Sequence, residues 1–136
     1  MINVLYIEDE PTNIRLVQKM LNFSGYGVSM AETGEAGIQK AIEEQPDIIL
    51  LDINLPDMNG FEVAHVLKSQ PKTAHIPIIA LTALSLFRNR EYAGDNDCDD
   101  YLPKPTSRSE LLIKIQKYVG YEPMAFVPKT GPLAPR

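Results

Sequence analysis

Short apolar runs alternate with segments of helical period along the chain. Residues 3–7 (NVLYI) form a run of strand length. Pro11 then stands where a helix start tolerates a missing N–H. Ile14, Val17 and Leu21 recur at helical spacing, with Leu16, Met20 and Phe23 widening the stripe, and Gly25 predicts the end of that helix. Residues 27–30 read as a weaker strand. Residues 34–44 predict a second helix burying Ile38, Ala41 and Ile42, with Thr33 as its N-cap. The run Ile48-Ile49-Leu50-Leu51 does not alternate, as expected of a strand covered on both faces. A third helix over 61–69 carries Phe61, Ala64, Val66 and Leu67. A fourth apolar run covers 76–81, with Pro77 near its start, where an absent donor is tolerated. Residues 85–93 suggest a fourth helix, and Tyr101-Leu102 a short last strand. Ser107-Arg108-Ser109-Glu110 has the form of a capping box. It opens a helix with Leu111, Leu112, Ile115 and Val119 on one face.

Five strand–helix repeats predict an α/β domain whose parallel strands are joined by right-handed crossovers, with helices on both faces of the sheet. Five such units suit the flavodoxin-like strand order 2-1-3-4-5. The character changes at Gly120, after which four prolines fall within the last 17 residues. The expected organisation is one domain over 1–120 and a flexible Pro-rich tail over 121–136. Hydrophobic residues at 44% and charged residues at 23% are sufficient for a packed core. The net charge of −5 argues against a domain that grips nucleic acid by neutralising phosphates. Cys98 is the only cysteine, so neither an intrachain disulfide nor a Cys-rich zinc cluster is expected. There is no basic segment followed by an apolar stretch, and no apolar run near the roughly 20 residues of a membrane span. The expectation is a cytoplasmic protein without membrane insertion.

The chemistry lies at the strand ends. Glu8-Asp9 follow the first strand, Asp52 the third, Thr82 the fourth, and the fifth leads to Lys104. In an open parallel sheet, ligands bind at the carboxyl ends of the strands. These residues should therefore converge into a pocket of three carboxylates, one hydroxyl and one ammonium. Two like charges about 4 Å apart cost roughly 4 kcal/mol at an effective dielectric near 20. A divalent cation removes that repulsion, and an all-oxygen set suits Mg²⁺ or Mn²⁺ rather than zinc. One carboxylate can then attack a phosphoryl group, while the metal and Lys104 neutralise its oxygens and Thr82 donates to one of them. Outside this set the expectations are plain. The acidic run 95–100 reads as a solvated loop, His65 and His75 as surface residues, and Cys98 as a small loop residue. Met58 and Gly60 shape the loop after Asp52, with Gly60 suited to a place where a Cβ would clash.

The segments YIEDEPTN, PDIILLDINLPDMNGFE, IPIIALTA and DDYLPKP together closely resemble the receiver domain of two-component response regulators, over residues 2–119. The resemblance implies that Asp52 is the phosphoacceptor. It implies that Glu8 and Asp9 hold Mg²⁺, Glu8 through water, with the backbone carbonyl of Asn54 as a further ligand. Thr82 would be the switch hydroxyl, Tyr101 the switch aromatic, and Lys104 the phosphate-pairing lysine. A cis peptide is implied at Lys104-Pro105. The implied protein is a stand-alone response regulator, monomeric or weakly dimeric. It would be phosphorylated by a sensor histidine kinase or a histidine phosphotransfer protein and read by a downstream protein target. It would act as a switch rather than a turnover enzyme, catalysing only its own phosphorylation and slow dephosphorylation. One departure is visible: Asn96-Asp97 stand where the family often has Ala-Gly, so that any positive φ there would fall on Asp97. Two rival readings have weaker support. A metal-dependent phosphohydrolase with an aspartyl nucleophile wants a second acid at the place of Asn54. An FMN-binding flavodoxin-like module wants a phosphate-cradling loop in place of Glu8-Asp9-Glu10-Pro11.

Overall fold

The computed structural model describes residues 1–83 and 97–120. The helix expected over 85–93, Asn96 and the tail over 121–136 lie outside the described residues. Nine elements follow one another: β1(Asn3–Ile7), α1(Pro11–Phe23), β2(Gly27–Ala31), α2(Gly34–Glu44), β3(Ile48–Asp52), α3(Gly60–Lys68), β4(Ile78–Ala83), β5(Asp100–Lys104) and α4(Arg108–Val119). All strand pairs are parallel and the order is β2-β1-β3-β4-β5. Both the fold class and the strand order are as expected from the sequence.

Alternation along the strands sorts the core into two layers. Val4, Tyr6, Ile48, Leu50, Ile79, Leu81 and Leu102 pack with Val17 and Leu21 of α1 and with Leu111 and Ile115 of α4. Leu5, Ile7, Ile49, Leu51 and Ile78 pack with Ala41 of α2 and with Val63, Ala64 and Leu67 of α3. The sheet is thus covered on both faces, which is why its central strand has no polar alternation.

Helix ends follow local chemistry. Pro11 is in the first turn of α1, where the Glu10 side chain accepts from Asn13 N–H, and the helix ends before Gly25, whose φ is 90°. Thr33 caps α2 by accepting from Ala36 N–H. Ser107 and Glu110 form the expected capping box on α4. A second box, Asn59 with Glu62, opens α3 one residue before the predicted start. Its N-x-x-E spacing is present in the sequence.

Three expectations are corrected. The fourth strand is Ile78–Ala83 rather than 76–81, because the Ile78 N–H is taken by Asp99 Oδ2 and pairing with β5 continues to Ala83–Lys104. Thr82 is therefore inside the strand. The fifth strand is longer than Tyr101-Leu102 and ends on Lys104, with Pro103 tolerated because β5 is an edge. The acidic run is not a loosely solvated loop where described. Asp97 pairs with His65, Asp99 with Lys68, and Asp100 with Lys114 and Lys117. Among the described residues Gln45 is the only non-glycine with positive φ, so Asp97 bears no such strain.

Candidate functional site

Register places the acids. Ile7 lies beside Leu51 in the β1–β3 ladder, so Glu8 and Asp52 follow one step beyond paired residues and meet at the sheet edge. Ala83 lies beside Lys104 in the β4–β5 ladder, which brings the lysine to the same edge. Lys104 Nζ sits 2.9 Å from Glu8 Oε1 and 2.9 Å from Asp52 Oδ1. The Lys104–Pro105 peptide is cis, as the resemblance implies. Glu8 and Asp52 are almost wholly buried, while Asp9 is exposed at the rim. One carboxylate oxygen from each of Glu8, Asp9 and Asp52 can be chosen so that all lie within 4.8 Å of one another.

These groups open on a cleft of about 430 Å³ whose walls include Glu8, Asp9, Asp52, Asn54, Ala83 and Lys104. The sequence-predicted residues Glu8, Asp9, Asp52, Asn54 and Lys104 thus come together. Thr82 is buried on β4 beside Pro103, one residue before Ala83 in sequence, and Tyr101 is half-buried on β5 beside Ala80. The Asn54 N–H points at Asp52 Oδ1 over 3.4 Å.

Three carboxylates face one ammonium, so the cluster is short of positive charge. Burial pushes the Asp52 carboxyl above its ordinary range; the Lys104 hydrogen bond opposes this and the Glu8 charge adds to it. Burial pulls Lys104 down, but its hydrogen bonds to Glu8 and Asp52 outweigh that and hold the ammonium charged. A hard divalent cation with oxygen ligands fits this donor set and its charge.

Three participants escaped the sequence reading. Tyr6 OH donates to Glu8 Oε1 at 3.0 Å from inside the core, and burial, then the Glu8 charge, pushes the phenol far up, so it stays protonated. Glu10 N–H donates to Glu8 Oε2 at 3.2 Å. Asp57 accepts from the N–H groups of Gly34 and Glu35 at 2.7 and 3.0 Å, tying the loop after Asp52 to the start of α2. Tyr6 could have been found, since a tyrosine in a buried strand needs a partner for its hydroxyl and Glu8 is two residues on. Asp57 could not, because its partners are distant in sequence.

The comparisons with known proteins show the family and the fold. The response regulator receiver domain profile matches residues 4–116. The chain is 34% identical over 118 residues to the polar-differentiation response regulator DivK of Brucella ovis, covering 87% of this chain and 96% of that protein. Among solved structures, the receiver domain of a sensor histidine kinase from Pseudomonas aeruginosa, with magnesium coordinated in its active-site cleft, superposes with a TM-score of 0.80 at 34% identity, covering 88% of this chain and 98% of that one. The response regulator TrrA of Thermotoga maritima, in complex with Mg²⁺–BeF, gives 0.77 at 32% identity, covering 87% and 99%. Neither the phosphohydrolase nor the flavin-binding alternative is favoured by these likenesses. No helix among the described residues is long and apolar enough to cross a membrane. This chain belongs to the response regulator receiver domain family of two-component signalling.

Proposed function

We propose that Asp52 accepts the phosphoryl group and that Lys104, Thr82 and the acidic pair Glu8–Asp9 serve that transfer. The observation that supports this best is Lys104 Nζ, held 2.9 Å from both Asp52 and Glu8 in a cleft that also contains Asp9. Asp52 Oδ1 takes the Lys104 and Asn54 hydrogen bonds, which leaves Oδ2 to attack. In the step, the bond from phosphorus to the donor histidine nitrogen breaks and a bond from phosphorus to Asp52 oxygen forms. The electron pair returns to the imidazole, and Asp52 becomes an acyl phosphate. Lys104 follows the charge from carboxylate to phosphoryl oxygen and so serves both states.

Asp9, Asp52 and the Asn54 backbone carbonyl would hold Mg²⁺ or Mn²⁺ directly, with Glu8 acting through water. Bound there, the cation offsets the charge of the acids and of the incoming phosphoryl oxygens. The magnesium in the cleft of the Pseudomonas receiver supports this choice. Thr82 would reach the new phosphoryl oxygens and Tyr101 would follow it, so that a protein target reads the changed surface beside β5. The donor would be a histidine kinase or a phosphotransfer protein. The receiver itself would supply the slow hydrolysis that resets it. The receiver unit would occupy residues 1–120, with 121–136 as an appendage.

Incubating the protein with acetyl phosphate or a phosphorylated kinase tests the assignment. Labelling should require Mg²⁺ and vanish in Asp52→Ala. Label that survives the substitution refutes the acceptor, and label indifferent to excess chelator refutes the cation.

A further inference from the structure

We propose that Tyr6 is a positioning residue for the divalent-cation site, its buried hydroxyl setting the orientation and charge density of the Glu8 carboxylate. The inference rests on the reading of Glu8 as part of that site. Tyr6 and Glu8 are two residues apart along an extended β1 backbone, so their side chains leave the sheet on the same face. The strand around them is aliphatic: Val4, Leu5 and Ile7 are fully buried, and Tyr6 is only 1% exposed. A phenylalanine would fill that space without bringing a hydroxyl into the core. Burying a hydroxyl is unfavourable unless it is hydrogen-bonded, and here it donates to Glu8 Oε1 at 3.0 Å.

Glu8 is itself 1% exposed, and its lone pairs are heavily used. Oε1 accepts from Tyr6 OH and from Lys104 Nζ, and Oε2 accepts from Glu10 N–H. Three of the roughly four acceptor sites of a carboxylate are therefore engaged. Room for about one further donor suits a carboxylate that orients a water rather than one that binds a metal directly. Tyr6 and Lys104 also share Oε1, so the phenol helps fix where the ammonium sits relative to Asp52. Hydrogen-bond partners behind a metal-facing group typically change metal affinity about 10–100-fold when removed.

The test is a cycle of Tyr6→Phe and Glu8→Gln in the full chain. Mn²⁺ affinity is read by water-proton relaxation, and the metal-free thermal midpoint is read beside it. Tyr6→Phe should weaken Mn²⁺ binding by about tenfold, and by less than about twofold when Glu8 is already Gln, since the two residues act as one unit. Undiminished affinity in Tyr6→Phe overturns the inference. Equal weakening in both backgrounds also overturns it, because Tyr6 would then act only through packing. If Glu8→Gln alone binds Mn²⁺ like the wild type, the assignment of Glu8 to the cation site falls as well; a Tyr6→Phe failure alone leaves that assignment standing. Should Tyr6→Phe not fold, wild-type protein labelled with ¹³Cζ-tyrosine decides the matter. Mg²⁺ should move the Tyr6 resonance in the wild type but not in Glu8→Gln. A resonance indifferent to Mg²⁺ in the wild type overturns the inference.

Discussion

Thr82 and Lys104 lie on adjacent strands one register step apart, yet they differ in what they already engage. Lys104 is already engaged with two acids. Thr82 is only 8% exposed and is not among the residues that line the cleft, so a hydrogen bond from its hydroxyl to a phosphoryl oxygen would be a new contact. A ligand shifts a two-state equilibrium only through contacts that differ between the states. The proposed Thr82–phosphoryl hydrogen bond is such a contact, and one hydrogen bond to a charged group is worth about 1.5–3 kcal/mol. Thr82→Ala should therefore keep its label on Asp52 while losing most of the gain in partner affinity, roughly 10–100-fold by that energy. Partner affinity with and without beryllofluoride, in wild type and variant, checks it. An equal gain in both proteins would mean that the signal leaves Asp52 by another route.

At the level of elements, the loop between β3 and α3 holds Asp52 and Asn54 against the cleft, and it is fixed at several points. Gly60 N–H donates to the Ile53 carbonyl at 2.8 Å, Asn54 bridges to Asn59, and Asp57 caps the start of α2. Backbone hydrogen bonds from Gly34 and then Glu35 hold the Asp57 carboxyl below its ordinary range. Gly60 permits this closure. A Cβ there would stand 2.6 Å from the Asp52 carbonyl oxygen and 2.7 Å from Ile53 Cα, and backbone atoms cannot swing aside as a side chain can. Gly60→Ala should cost about 1–3 kcal/mol, the range for overpacking a tight site. It should also slow labelling, because one of the displaced atoms is the carbonyl oxygen of Asp52, the proposed phosphoacceptor. Urea midpoints and labelling rates with acetyl phosphate test both effects; a variant with wild-type values in both would show that the loop relaxes freely.

Over the whole molecule, the last βα unit is closed onto the sheet by Asp100. Its carboxylate accepts from Tyr101 N–H, Tyr118 OH, Lys114 and Lys117. Burial works to raise its pKa, but these donors together win and bring it from 3.8 down to about 2. A carboxyl depressed in the folded state stabilises above its unfolded pKa and stops doing so as pH falls through the folded value. The stability difference between wild type and Asp100→Asn should thus be constant above about pH 5, shrink as pH drops below 3.8, and be nearly gone near pH 2. Denaturant melts across pH 7 to 2 measure it. A difference that persists at pH 2 would mean that shape rather than charge holds the network.

The sequence by itself determined the layer architecture, because periodicity is a local property. A run such as Ile48–Leu51 needs cover on both sides, and Val17 and Leu21 of α1 and Leu111 and Ile115 of α4 bury against the sheet, whereas Leu16 and Phe23, expected to widen the α1 stripe, are exposed. It also placed Glu8, Asp9, Asp52 and Lys104 at strand ends, since a polar residue that stops an apolar run marks where the strand leaves the core. Cap positions at Thr33 and Ser107 were legible for the same reason: each satisfies donors within three residues of itself. The tertiary structure decided what depends on partners far along the chain. β4 reaches Ala83 because β5 lies beside it, which puts Thr82 within a strand. The carboxylates at 97, 99 and 100 have partners because Lys68, Lys114, Lys117 and His65 arrive from other elements. Asp57 caps a helix 22 residues before it. Hydrogen bonds and ion pairs fall off within a few ångströms, so their partners are set by how the chain packs and not by its order.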